Sequence, residues 1–283
     1  MAAGLPIDPP HFLNGFTQMA LNFAVPLFVP ANRPERFAKA AAAGADAIVL
    51  DLEDAVAPED KVAARNCLET SFTDLPVIVR INGPGTPWHQ ADMDAVLKLR
   101  PAAVMVPKAE LNTLARPIDS LKDEIPMLLL VETARGLADA RAMARMHGVK
   151  RLVFGSVDYC TDIGCKHTRE ALLAARNELV IASRLANLIA PVDGVTTAID
   201  DQDLIAEDAR YAQSLGFTGK LCIHPKQVSS IFAGLRPTSD EVSWAQRVLA
   251  AGEGGAIAVD GALVDEPVRI RARTILKLAG PEA

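Results

Sequence analysis

Short apolar runs recur along the chain, with longer amphipathic stretches between them. The runs cover residues 27–29, 47–50, 77–79, 103–106, 127–131 and 152–154, a weaker one covers 191–195, and the last covers 221–223. They are apolar throughout rather than alternating, as strands are when helices cover one face of a parallel sheet and a filled interior covers the other. Between them, residues 59–68, 136–146, 169–188 and 203–215 place apolar side chains at helical spacing. A period that switches from strand to helix and back predicts a parallel α/β architecture. Eight such runs, with no GxGxxG after the first, favour a closed (β/α)8 barrel of the TIM type over an open doubly wound sheet.

The ends of the chain read differently. Residues 1–18 are rich in Pro and Gly and predict an irregular arm, so the barrel is placed at 19–237. Residues 238–283 form an extension: a helical stretch, a Gly-rich turn at 252–255, a hairpin over 256–264 and a final basic helix. Barrels of this kind reach 283 residues as one domain.

Composition narrows the classes. Half of the residues are apolar and 23% charged, which suits a globular protein with a large core. A net charge of -6, with 29 basic residues scattered among 35 acidic ones, argues against a nucleic-acid partner. No apolar stretch reaches the roughly 20 residues that span a membrane. The first basic residue is Arg33, so the start lacks the basic region of a signal peptide, and a cytoplasmic protein is expected. Four cysteines without a CxxC pair predict free thiols in a reducing compartment.

The chemistry lies in the polar residues at the end of each run. The first run enters Asn32 and Arg33; the second Asp51, Glu53 and Asp54; the third Arg80 and Asn82; the fourth Lys108; the fifth Glu132; the sixth Asp158; the eighth His224. In a barrel these strand ends gather at one mouth. Charged residues also punctuate strands where a chain returns to water, but that reading weakens as their number grows. Glu132 and Asp158, with Asp51, Glu53 and Asp54 nearby, concentrate negative charge that calls for a cation. Mg²⁺ fits, since it takes hard oxygen ligands and leaves positions to water and substrate. No His/Cys cluster favours a softer metal.

Arg80 offers a planar donor fork to a carboxylate or a developing enolate oxygen, the alternative being an ion pair with Glu53 or Asp54. Acidic surroundings raise the pKa of Lys108 and argue against a Schiff-base role. His224 reads either as a base or as a hydrogen-bonded structural residue and stays outside the catalytic set. Gly155-Ser156 lacks the flanks of a nucleophile elbow.

These motifs, taken in order, resemble the citrate lyase beta-subunit-like family of the HpcH/HpaI aldolase superfamily, which includes malyl-CoA and citramalyl-CoA lyases. The resemblance runs from residue 27 to about residue 276. It is carried by PANRPER at 30–36, GADAIVLDLEDAVAPEDK at 44–61, VRING at 79–83, VPKAE at 106–110, ETARGL at 132–137, FGSVDYCTDIG at 154–164, GFTGKLCIHPKQV at 216–228 and DGALVDEP at 260–267.

The resemblance implies that Glu132 and Asp158 ligate Mg²⁺, that Arg80 contacts the reacting acyl group, and that Arg33 and Lys39 face CoA phosphates. It also implies that Asp265 reaches a neighbouring subunit's active site. That role makes a homo-oligomer obligatory, with a trimer expected. The expected reaction is cleavage of a 3-hydroxyacyl-CoA to an α-keto acid and acetyl-CoA or a homologue, with Asp265, or alternatively Asp54 or a metal-bound water, moving a proton. (S)-Citramalyl-CoA is the first substrate expected and malyl-CoA the second. The IHP at 223–225 resembles the stand-alone CoA lyases. Two rival readings are a citrate lyase beta subunit working on a carrier-bound citryl thioester and a metal-dependent oxo-acid aldolase that needs no CoA.

Overall fold

A computed structural model describes residues 21–114, 121, 124–251, 257–259 and 261–280. The expected arm at 1–18 and the Gly-rich turn at 252–255 lie outside them. Eight parallel strands succeed one another in chain order around a sheet: β1 (Pro26–Pro30), β2 (Ala47–Asp51), β3 (Val77–Arg80), β4 (Ala103–Val106), β5 (Met127–Val131), β6 (Val149–Phe154), β7 (Ile189–Asp193) and β8 (Gly219–Lys220). The chain just past β8 closes the circle. Cys222 pairs with Leu27, donating its N–H to Pro26 O at 3.1 Å and accepting from Phe28 N at 2.8 Å. The protein is a (β/α)8 TIM barrel, as the pattern of runs predicts.

The barrel helices among the described residues are α1 (Phe37–Ala41), α2 (Lys61–Asn66), α3 (His89–Leu99), α4 (Ala134–Met143), α5 (Ser156–Ile163), α6 (Arg169–Leu185), α7 (Gln202–Leu215) and α8 (Val228–Leu235). After them come α9 (Ser239–Ala250), an antiparallel hairpin of β9 (Ile257–Val259) with β10 (Ala262–Val264), and α10 (Glu266–Ala279). Ala245, Val248, Val264, Ala272 and Ile275 form a small core of their own for this extension. No helix among the described residues is long and apolar enough to cross a membrane.

The uniformly apolar strands hide a period of two. Ala47, Val49, Ile78, Ala103, Met105, Leu128, Leu130, Val153 and Val192 fill the barrel interior. Their neighbours Ile48, Leu50, Val77, Val79, Val104, Val106, Leu129, Val131 and Leu152 belong to the larger core beneath the helices. Alternate side chains of a strand point to opposite faces, and here both faces are dry. The bottom of the barrel is closed by Arg151, which is fully buried and donates to the carbonyls of Leu21 (3.0 Å), Phe23 (2.6 Å) and Ala190 (2.7 Å) and to Thr218 Oγ1 (2.9 Å). Burial pushes its guanidinium down to about 9.

Two strands start two residues before the apolar runs that announce them. β7 begins at Ile189 instead of 191, and β8 is Gly219–Lys220 instead of 221–223. For β8, polarity is the reason. Lys220 is buried because its amine sits 3.1 Å from Asp193 Oδ2 and donates to Gly194 O at 2.8 Å. Arg176 completes the group through Asp193 Oδ1 at 2.8 Å.

Candidate active site

Continued one step beyond its apolar layers, the inward row of each strand reaches the barrel mouth and builds the site. On β2 the row Ala47, Val49 continues to Asp51; on β3 Ile78 continues to Arg80; beyond β5, Leu128 and Leu130 continue to Glu132. On the far wall the corresponding positions past β6 and β7 are Gly155 and Gly194. A Cβ at Gly155 would run into Glu132 Oε2, and one at Gly194 into Ser156 Oγ. Glycine at these two positions therefore leaves room for the Glu132 and Ser156 side chains that neighbouring strand ends send to the mouth.

Arg80 is the hub. Its Nε and Nη2 donate to the two oxygens of Asp51, each at 2.7 Å. Its Nη1 lies 3.0 Å from Glu53 Oε2 and 3.3 Å from Asp54 Oδ2. The Phe28 ring centroid is 5.0 Å from the guanidinium carbon. Burial works against the charge, but Asp51, Glu53 and Asp54 outweigh it and hold Arg80 above its usual range. The ion pair read as an alternative role for Arg80 is thus present, and Asp51 supplies its two-pronged partner.

The loop after β2 is pinned to present these acids. Asp51 accepts the N–H groups of Glu53 (2.9 Å) and Ala55 (3.0 Å), and Lys61 Nζ donates to the carbonyls of Leu52 and Glu53, both at 2.7 Å. Glu53 becomes buried, whereas the Asp54 side chain stays 56% exposed. Burial raises the pKa of Glu53 despite Arg80 and Lys108.

Glu132 is 1% exposed, and its Oε1 accepts the backbone N–H of Lys108 at 2.7 Å. Lys108 has a left-handed backbone (φ 48°), a conformation that costs a non-glycine residue roughly 1–2 kcal/mol. Its Nζ bonds Glu53 Oε1 at 2.7 Å, and although burial opposes the charge, Glu53 holds the amine above its ordinary value. That direction keeps Lys108 protonated and a poor nucleophile, as its acidic surroundings predict. Glu132 Oε2 is buried with no hydrogen-bond partner among the described residues. Burial, then the nearby Glu53, push this carboxyl up to about 8. A buried carboxylate oxygen without a partner is costly unless a cation meets it.

Asp158 stands in the first turn of α5, half-buried, and lines the same cavity as Glu132. The cavity measures about 380 Å³. Asp51, Asp54, Arg80, Glu132, Ser156 and Asp158 form its polar side, and Phe28, Leu130, Phe154, Val195, Leu221 and Ile223 its apolar side. Among the described residues no three of His, Cys, Asp and Glu converge as a ligand set. A cation here would have two protein carboxylates and draw its other ligands from water and substrate, which is the habit of Mg²⁺.

The remaining expected residues lie elsewhere. Arg33 and Lys39 are exposed on the segment after β1, outside the cavity lining. Asp265 caps α10, accepting the N–H of Val268 at 3.3 Å, and does not line the cavity of its own chain. His224 accepts the N–H of Lys226 at 3.2 Å through Nδ1 and begins a single 3₁₀ turn, a structural role. Sequence reasoning missed the pairing of Asp51 with Arg80, the backbone contribution of Lys108, and a 2.9 Å contact between Ser156 Oγ and His167 Nε2. The parity of the inward row would have singled out Asp51; nothing local announces His167.

A closed barrel whose C-terminal mouth joins an Arg–carboxylate cluster to a second pair of carboxylates has the build of a (β/α)8-barrel enzyme. Comparison with known proteins makes this specific. The profile of the HpcH/HpaI aldolase/citrate lyase family matches residues 25–225, and the chain belongs to that family of lyase- and aldolase-like enzymes.

A citrate lyase subunit beta-like protein of Mycobacterium tuberculosis is 39% identical over 264 residues, covering 90% of this chain and 94% of that protein. A (3S)-malyl-CoA thioesterase of Cereibacter sphaeroides is 31% identical over 267 residues, covering 89% and 93%. The crystal structure of protein CitE from M. tuberculosis in complex with magnesium, acetoacetate and coenzyme A superposes with a TM-score of 0.84 at 36% identity, covering 92% of this chain and 99% of that one.

Proposed function

We propose that this protein is a Mg²⁺-dependent carbon–carbon lyase acting on a 3-hydroxyacyl-CoA, with (S)-citramalyl-CoA as first substrate and malyl-CoA as second. The observation that carries the reading is the unpartnered Glu132 Oε2, buried in a cavity shared with Asp158 and Arg80. Glu132 and Asp158 would hold the ion, which when bound supplies Lewis acidity for the substrate's hydroxyl and carboxylate. The magnesium and coenzyme A of the CitE complex support both the ion and the thioester. The malyl-CoA thioesterase supports a short dicarboxylic acyl group.

Cleavage removes the hydroxyl proton, turns that carbon into the carbonyl of a keto acid, and moves the bonding pair onto the thioester oxygen as an enolate. The enolate then takes a proton at carbon. Arg80 would meet the developing negative charge, and the three carboxylates that fix its orientation support this, since little reorganisation would be needed when that charge appears. Asp54, exposed at the cavity edge, is one candidate to carry the proton; Asp265 of the partner subunit is the other. The apolar side of the cavity keeps water from the enolate.

A cavity of about 380 Å³ holds an acyl group rather than a whole CoA thioester. The nucleotide end would lie outside, where the exposed Arg33 and Lys39 would meet its phosphates. Residues 238–283, with their own small core, would form the oligomer contact and carry Asp265 to a neighbouring site in a homotrimer.

The test is mass-spectrometric detection of products from the purified protein with Mg²⁺ and a panel of citramalyl-CoA, malyl-CoA, methylmalyl-CoA and hydroxymethylglutaryl-CoA. Pyruvate and acetyl-CoA from the first compound are expected. Free CoA with an intact hydroxy acid would mean thioester hydrolysis instead, and silence across the panel would reject a free CoA substrate.

A further inference from the structure

The helix that carries Asp158 ends on two thiols. α5 stops at Gly164, whose left-handed backbone (φ 72°, ψ 29°) closes the last turn. The N–H groups of Gly164 and Cys165 both turn back to the carbonyl of Cys160. In such a closure, the residue three positions inside the helix and the second residue beyond its end come face to face, ordinarily as an apolar contact. Here both are cysteines, and their sulfurs are 3.5 Å apart. Both are free thiols, with Cys160 8% exposed and Cys165 more open.

We propose that Cys160 and Cys165 form a dithiol oxidation site, which a hydroperoxide converts reversibly to a disulfide. The more open Cys165 reacts first. Its sulfur attacks the terminal peroxide oxygen, the O–O bond breaks, and a sulfenic acid forms while the peroxide leaves as alcohol, or as water from hydrogen peroxide. The sulfur of Cys160 then attacks that of Cys165. The S–O bond breaks, and hydroxide leaves with the Cys160 proton as a second water. Two thiols are oxidised and one peroxide is reduced.

The sulfurs need to approach by about 1.5 Å to bond. Gly164 lies between the two residues and can absorb that change without a Cβ clash. The competing reading is a plain helix-end contact in which cysteine serves as a small hydrophobe, and it predicts no cross-link. The site does not depend on the lyase reading, yet its position matters to the cavity. Cys160 is two residues from Asp158, and His167, two residues past Cys165, holds Ser156 in the cavity wall at 2.9 Å.

Trypsin leaves both cysteines in one peptide, residues 152–166, between cuts after Arg151 and Lys166. The full-length protein is treated with hydrogen peroxide, remaining thiols are capped with N-ethylmaleimide, and that peptide is weighed. It is expected to lose two hydrogens and take up no label, with dithiothreitol restoring two-label uptake. Cys160→Ser protein is expected to accumulate a Cys165 sulfenic acid that dimedone traps. Two labels on the peptide at doses that oxidise Cys67, or sulfinic acid on Cys165 with Cys160 still labelled, would overturn the proposal.

Discussion

Asp51 and Arg80 are register partners on β2 and β3, and their side chains meet along both edges at 2.7 Å inside the barrel mouth. The pair orients the guanidinium before any substrate arrives. Removing one member of a buried pair leaves an uncompensated charge, so Asp51→Ala should lower unfolding free energy by about 3–5 kcal/mol. Urea denaturation measures this; a loss under about 1 kcal/mol, the scale of an exposed pair, would show that Glu53 and Asp54 suffice to hold Arg80.

Glu132→Gln keeps an oxygen for the Lys108 N–H and removes the carboxylate that would meet the ion. Magnesium affinity measured by calorimetry should fall by at least about tenfold. Stability in the presence of a chelator should stay level at neutral pH, where a carboxyl raised to about 8 is already mostly protonated, and rise above about pH 8, where the parent protein would bury an ionised group. Unchanged magnesium binding would remove Glu132 from the metal site.

Asp265→Ala should cost about 0.5–2 kcal/mol through the lost cap of α10. If the residue also serves a neighbouring site, the variant is inactive, and so is Glu132→Gln. Mixed oligomers reassembled from equal amounts of the two would then regain activity in about a quarter of their sites, where an intact Glu132 meets an intact Asp265. No recovery in verified mixed oligomers would confine Asp265 to its capping role.

Asp193 is fully buried. Burial raises its pKa, but Lys220 and Arg176 outweigh that and hold it below its ordinary value. A carboxyl depressed on folding stabilises the protein above its unfolded pKa, and that stabilisation is lost as pH falls through the folded value. Asp193→Asn should therefore unfold more easily at neutral pH, and below about pH 4 its stability should fall less steeply with acid than that of the parent. Denaturation curves measured from strong acid to neutrality would show parallel slopes if Asp193 contributed nothing.

Much of the site was legible before folding was considered. Glu132, Asp158 and Arg80 each come after an apolar run, and a parallel barrel brings such positions to one mouth. The cavity itself was not legible, because it depends on Gly155 and Gly194 facing Glu132 and Ser156 from neighbouring strands. His167 was invisible for a similar reason: its partner Ser156 lies eleven residues away across a helix end.

Sequence alone determined the barrel, because eight buried strands and their covering helices impose a hydrophobic period that survives in one dimension. It also determined which charged residues stand at strand ends. Only the tertiary structure decided how those charges pair: Arg80 with Asp51 first, Lys108 with Glu53 through its amine and with Glu132 through its backbone, and Glu132 Oε2 with no hydrogen-bond partner among the described residues. Strand pairing is set by periodicity over many residues. The partner of a buried charge is set by a few ångströms of approach across strands, and local spacing does not encode that distance.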